Sequence, residues 1–258
     1  MTYNTILIDH VDHVGVITLN RPEQLNTFST ELGQELNRAL IELDNNQETR
    51  VVIIKGEGKA FSAGIDISEF FGKSQREYYQ WVSQMEQMNM VISYMKKPVI
   101  ACAKGFAVAN GAGLIAACDL AVVSEGIKIG ATAINVGLFC MGPAVPMSRS
   151  LGRKRCLEML LTGDLIDART AERWGLVNKV VPEDELDSAA MDLAKKLAAK
   201  SPIALQMGKQ TYYGMCDMEF SKALEYSNEK FAALCITEDA KEGVNAFLEK
   251  RDPVWKEK

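Results

Sequence analysis

Short, wholly apolar runs alternating with helical patterns constrain this chain more than any other feature. Residues 51–54, 99–103 and 120–123 contain no charged side chain, which is the pattern of strands buried on both faces. Between them, Leu32, Leu36, Leu40 and Leu43 recur at helical spacing and predict a helix over 30–45. A second helix is expected over 75–95, stopped by Pro98. Upstream, residues 6–8 and 14–19 read as a hairpin turning at Asp12-His13, and Pro22 closes it because proline cannot donate to a ladder. Strands alternating with helices at this pace specify an α/β fold built from βαβ units. Beyond Val181-Pro182 the pattern becomes helical. Leu186, Ala190, Leu193, Ala194 and Leu197 form one stripe, Ser201-Pro202 is a cap followed by a helix-starting proline, and helices are expected over 220–234 and 240–248. The chain divides into an α/β core, 1–195, and a helical region, 196–258.

Composition removes several classes of function. At 258 residues and 47% hydrophobic, the chain can bury the core of one globular unit, or of a core with an appendage. A net charge of -5 with scattered Lys and Arg is not the footprint of a nucleic-acid binder. No apolar run is long enough to span a membrane. Residues 1–12 lack the layout of a signal peptide, so the expected location is the cytoplasm, or an organellar matrix for a mature form. The six cysteines form no C-x-x-C pair and read as small buried hydrophobes, with neither disulfide nor metal site expected. His10 and His13 are read as surface residues, which leaves Ser-His-Asp, Cys-His and H-E-x-x-H chemistry without support.

Two small-residue loops remain. Residues 58–67 follow a buried strand, and residues 105–113 run into a helix. Small residues admit a ligand to the backbone, and a helix start offers unsatisfied N–H groups to negative charge. Gly111-Ala112-Gly113 does not complete a dinucleotide fingerprint, and Gly58-Lys59-Ala60 lacks the hydroxyl residue of a phosphate loop.

Together with Leu19-Asn20-Arg21-Pro22, Leu25-Asn26, Ala117-Cys118-Asp119, Leu161-Thr162-Gly163, Trp174-Gly175-Leu176-Val177 and 247–251, these loops resemble the crotonase (enoyl-CoA hydratase/isomerase) superfamily over nearly the whole chain. The resemblance implies a spiral of ββα turns with C-terminal helices that build a homotrimer or a dimer of trimers. It implies an acyl-CoA or enoyl-CoA thioester as ligand, with coenzyme A entering as part of the substrate and no separate cofactor. It implies a lyase or isomerase role in fatty acid metabolism. By position, the oxyanion-hole donors are the backbone N–H groups of Ile65 and Asn110. Lys59 matches a lysine near the CoA phosphates, Ala63 a backbone contact to adenine, and Phe247 and Lys250 residues reaching CoA from the last helix. A solvated surface cation is the alternative role for Lys59 and Lys250. Asn26, Asp66, Ile67, Thr132, Ala133 and Leu138 fall in matched segments facing the substrate. Asp66 and Asp119 are expected to hold loop geometry.

The pattern departs from the family where proton transfer is expected. The hydratase glutamate positions fall on Gly113 and Ala133, and an isomerase acid position falls on Met141. Hydration needs a base on the water and an acid near the α-carbon, so the two-glutamate route is absent. In this respect the chain looks like the branch called enoyl-CoA hydratase domain-containing protein 3. Substitute groups are Glu86 as a lone base, Tyr78 and Cys140. Their alternatives are a solvated helix face, a packing residue and an inert buried thiol. The open readings are an enzyme of noncanonical acid/base chemistry, whether isomerase, decarboxylase or thioester hydrolase, and an inactive acyl-CoA-binding or regulatory protein.

Overall fold

The structure, a computed structural model, describes residues 3–258. Strands β1 (Ile6–Val11) and β2 (Val14–Leu19) pair antiparallel around Asp12, whose φ of 53° makes the turn. Strands β3 (Val51–Gly56) and β4 (Val99–Ala103) then add in parallel. Parallel neighbours require a crossover, and helices α1 (Thr30–Asn45) and α2 (Gln75–Tyr94) supply it. The Ser29 side chain caps α1 by accepting from the Leu32 N–H, and Ser74 with Glu77 forms a capping box on α2.

After β4 come the three-residue strand β5 (Phe106–Val108) and helix α3 (Asn110–Ala117). Strand β6 (Leu120–Ser124) is followed by β7 (Lys128–Gly130), then helices α4 (Met141–Ser150) and α5 (Arg153–Thr162). Strand β8 (Leu165–Asp167), helix α6 (Ala168–Trp174) and strand β9 (Lys179–Val181) complete the core. The large sheet has the order β1-β2-β3-β4-β6-β9, and the small one β5-β7-β8. Bridges Ser62–Ala107 and Phe28–Ile65 carry the small layer back along the chain. The passes that start from β2, β3, β4 and β6 therefore each run from a large-sheet strand, through a strand or bridge of the small layer, into helix. This is the ββα spiral expected for the fold.

Alternation along the large sheet separates two cores. Val52, Ile54, Val99, Ala101 and Ala103 point into one, with α1, α2 and α3. Val51, Ile53, Ile100 and Cys102 point into the other, against Leu186, Ala190 and Ala194 of helix α7 (Leu186–Ala198). Burial on both faces explains why these strands lack polar alternation.

Helices α8 (Pro202–Met215), α9 (Phe220–Cys235) and α10 (Glu238–Glu249) follow α7. No residue of α8 or α9 is fully buried, and Phe220, Phe231, Ile236 and Phe247 lie open on this region. One polar cluster ties it to the core. Asp119 accepts from the Val99 N–H (2.7 Å), from Lys209 Nζ (2.7 Å) and from the Tyr213 hydroxyl (2.9 Å). Asp119 thus holds geometry between the core and α8.

One expectation needs correction. Cys102, Cys118, Cys140 and Cys156 are buried, but Cys216 and Cys235 are exposed, because they lie on helices that bury little. The small strands and α4, α5 and α6 are additions to the elements anticipated. His10 and His13 are exposed, and no described helix is long and apolar enough to cross a membrane.

Candidate active site

The two small-residue loops are fastened together by their own backbones. Phe61 N–H donates to the Lys104 carbonyl (3.0 Å), Ser62 N–H to Phe106 (3.2 Å), and Val108 N–H to Ser62 (3.0 Å). The close approach depends on missing side chains. A Cβ on Gly105 would lie 1.8 Å from the Lys59 oxygen, and one on Gly111 would lie 2.4 Å from the Ser62 oxygen. A third segment joins them: Phe28 N–H donates to Gly64 (2.7 Å) and Asp66 N–H to Phe28 (2.9 Å).

Between those two bonds lies Ile65, whose N–H has no acceptor among the described residues. Asn110 opens α3, and its N–H also lacks an acceptor there, as first-turn amides do. Ala109 makes the turn into the helix at φ 49° and ψ -114°, a conformation costing a non-glycine residue about 1–3 kcal/mol. Its N–H is anchored on Gly130 of the small sheet (2.9 Å).

Glu86 reaches the same place from α2. That helix buries Trp81, Met85, Met88 and Ile92, so Glu86 and Asn89 follow immediately after stripe residues, at its edge. The Asn110 side-chain amide donates to Glu86 Oε1 (2.9 Å) and the Asn89 amide to Oε2 (2.7 Å). Glu86 is half-buried rather than on a solvated face. Burial raises its carboxyl above the ordinary carboxylate value, and the two amide bonds offset this only in part. The Asn89 Oδ1 atom is buried without a partner among the described residues, an arrangement that costs about 1–3 kcal/mol.

The positions expected to carry the usual acids are filled otherwise. A Cβ on Gly113 would come within 2.9 Å of Pro143 Cβ and 3.0 Å of its Cα, so the first turn of α4 occupies that space. Ala133 lies half-buried in a 3-10 turn over 132–136 with Thr132, and Met141 is exposed at the start of α4. One residue further, a Cβ on Gly142 would lie 2.2 Å from the Glu86 carboxyl carbon. Cys140 is 4% exposed, and burial pushes its thiol up, with the Ala133 N–H acting against this. A thiol so placed is poorly suited to attack as thiolate. Tyr78 donates its hydroxyl to the Phe70 carbonyl (2.7 Å) and packs against Phe70 and Trp81, so it is a packing residue.

Asn26 has a task other than ligand contact. It is fully buried, its amide donates to the Glu57 (2.9 Å) and Ala60 (2.8 Å) carbonyls, and its Oδ1 accepts from the Arg21 N–H. Asp66 is bonded to Ser68 and ion-paired with Arg21 at 2.8 Å, and these hold its carboxyl below the usual range. Ala63 spends its N–H on Leu25, while its carbonyl accepts nothing among the described residues. Lys59, Ile67, Leu138, Phe247 and Lys250 are exposed, with Lys250 left-handed at the end of α10. Asn89, Gly142 and Pro143 were not anticipated. Asn89 is three residues from Glu86, a spacing that shares one helix face.

A cavity of about 510 Å³ lies between the end of α1 and the start of α8, and another of about 220 Å³ beside Lys55, Cys102 and Asp187. Neither is lined by Ile65, Asn110 or Glu86. The candidate site is marked by two amides without acceptors among the described residues and by the Glu86 carboxylate.

Comparison with known proteins bears on the family and the fold. The sequence model of the enoyl-CoA hydratase/isomerase family matches residues 9–258. The chain is 36% identical over 245 residues to the rat mitochondrial enoyl-CoA hydratase domain-containing protein 3, covering 95% of this chain and 82% of that protein. It is 35% identical over 259 residues to a probable enoyl-CoA hydratase of Rhizobium meliloti, covering 99% of each. The crystal structure of human enoyl-CoA hydratase domain-containing protein 3 superposes with a TM-score of 0.94 at 35% identity, over 98% of this chain and 100% of that one. An enoyl-CoA hydratase of Mycobacterium smegmatis gives 0.94 at 37% identity, over 98% and 99%. A spiral of this topology, matched along almost its full length by sequence and by backbone, places the chain in the enoyl-CoA hydratase/isomerase family.

Proposed function

We propose that the protein binds an acyl-CoA or enoyl-CoA thioester and directs the Ile65 and Asn110 N–H groups at its carbonyl oxygen. The observation that carries this reading is the pair of unpaired amides on two loops fastened to each other. Donors already aimed at a developing oxyanion need no reorganisation, and losing one costs about a hundredfold or more in rate. In this reading Lys59 and Lys250 meet the CoA phosphates and the free Ala63 carbonyl meets adenine. Ile67, Thr132, Ala133 and Leu138 border the acyl chain, and Phe247 reaches the ligand in an assembly. The open apolar side chains of the last three helices support a homotrimer or a dimer of trimers.

With Gly113 and Ala133 at the hydratase positions, two-carboxylate hydration is not the chemistry proposed. Polarising the carbonyl instead favours reactions through an enolate. The same absence favours one rival, a binding protein without turnover. Incubation with saturated, unsaturated and malonyl-type CoA thioesters, followed by mass spectrometry for binding and for conversion, separates the two. Binding with product supports the enzyme, and binding without product supports the rival. No binding of any thioester refutes both. Ile65→Pro, which removes the donor, is expected to abolish binding while keeping a cooperative thermal transition.

A further inference from the structure

Glu86 differs from the other well-bonded carboxylates of the described chain. Glu35 accepts from the Asn4 and Thr5 N–H groups, Glu69 from Thr30 N–H, Asp119 from Val99 N–H and Lys209, and Asp239 from the Lys256 and Glu257 N–H groups. Each is held by main-chain donors, and each joins separate segments. Glu86 is held by two side-chain amides alone, with no cation and no main-chain N–H. As a structural tie it is a poor one, since burying a carboxylate without a counter-charge is costly. One of its two amides belongs to Asn110, whose main-chain N–H is a proposed oxyanion donor. The absence of a side chain at Gly142 leaves the space its carboxylate occupies.

We propose that Glu86 is the proton-transferring group of this site, acting as a single base on the α-carbon of the bound thioester. This rests on the thioester reading above. In the step, a Glu86 oxygen takes a proton from C2 and the C2–H bond breaks. The electron pair moves into the C1–O enolate, held by the Ile65 and Asn110 N–H groups. Once the protonated Glu86 carboxyl has traded its proton with water, return of hydrogen to C2 leaves a solvent hydrogen there. With a β,γ-unsaturated thioester, return to C4 moves the double bond into conjugation. Neither route needs a water nucleophile or a second acid, which the residues at positions 113, 133 and 141 do not provide. Asn110 is then bifunctional, its backbone serving the oxyanion and its side chain positioning the base.

The groups facing Glu86 are neutral amides on α2 and α3, the glycine of α4, and the Cys140 thiol, which is the titratable neighbour that feels its charge. Burial raises the carboxyl, so the active ionised form is reached at higher pH than for an ordinary glutamate. Exchange should rise with pH across that raised value and then level.

The test measures butyryl-CoA affinity by calorimetry and C2 hydrogen exchange in D2O by NMR, with but-3-enoyl-CoA isomerisation followed alongside. Wild type should exchange. Glu86→Gln should lose at least about a hundredfold in exchange while affinity changes less than about threefold. Gly142→Ala keeps the carboxylate but puts a Cβ where it lies, and should lower exchange in the same direction. Failure of wild type to bind butyryl-CoA, but-3-enoyl-CoA or any other thioester of the panel overturns the thioester reading, and this proposal with it. Binding without exchange, or exchange unchanged in Glu86→Gln, overturns the role of Glu86 alone.

Discussion

Substituting Gly111 by Ala tests whether the spacing of the two loops controls the site. The added Cβ would lie 2.4 Å from the Ser62 oxygen and 3.1 Å from the Ser62 carbon and Cβ. Relief of overlap requires the two backbones to part by about 0.6 Å, and an ordinary carbon contact requires about 1 Å. Ser62 is poorly able to yield, because its carbonyl accepts the Val108 N–H at 3.0 Å and its N–H donates to Phe106. Ile65 lies three residues beyond Ser62 and Asn110 immediately before Gly111, so the parting moves one donor against the other. Overpacking of a tight contact costs about 1–3 kcal/mol, and a misplacement near 1 Å costs about a hundredfold in rate. Urea denaturation measures the first quantity and the thioester exchange assay the second. Gly208→Ala on exposed α8 is the control: nothing lies within 4 Å of its added Cβ, and helix propensity should raise stability by about 0.5–1 kcal/mol. A Gly111→Ala protein with unchanged stability and unchanged exchange would refute the claim that loop contact sets the distance between the donors.

Other substitutions probe separate parts of the structure. Asp119→Ala leaves the Lys209 ammonium, the Val99 N–H and the Tyr213 hydroxyl without their shared acceptor; it should cost about 3–5 kcal/mol in chemical denaturation and make α8 to α10 more open to limited proteolysis. Gly113→Glu should not create hydratase activity against crotonyl-CoA, and its thermal midpoint should fall, since Pro143 stands where the new side chain begins. Burial acts to raise the Glu35 carboxyl, but hydrogen bonds from the Thr5 hydroxyl and the Asn4 and Thr5 N–H groups outweigh it and hold its ionisation below the ordinary glutamate value. Its stabilisation is therefore complete above the unfolded-state value and is lost as pH falls through the lower folded one. The urea midpoint should drop on acidification below about pH 4.5, and Glu35→Gln should flatten that dependence.

Local signals carried some elements to the residue and left others invisible. Helix α1 has a side-chain cap at Ser29 and leucines at helical spacing, so its span follows from sequence alone. Strand β4 is equally clear because both its faces are buried. Strands β5, β7 and β8 have three residues each, too few to display a period. Helix α4 contains Pro143 and Pro146, and proline obscures a helical pattern; Pro143 sits in the first turn, where its missing N–H has no intrahelical partner to lose. In the site, the small residues of both loops announced a close backbone approach. The task of Asn26 did not show, since its partners Glu57 and Ala60 lie 31 and 34 residues away. The environment of Glu86 was hidden likewise, because periodicity places a residue on a helix edge without saying what faces that edge.

The start of α4 links the missing acids to the carboxylate that is present. Pro143 packs on Gly113, and Gly142 leaves the room that Glu86 fills, so two adjacent residues close one proton-transfer position and seat another. A glutamate at 113 would have to displace the Pro143 ring, and a side chain at 142 would displace Glu86 from Asn110. The two arrangements compete for the same turn of helix. Installing the two-carboxylate apparatus therefore requires position 143 to change together with 113 and 133, and restoring one acid alone should yield a less stable protein with no added chemistry.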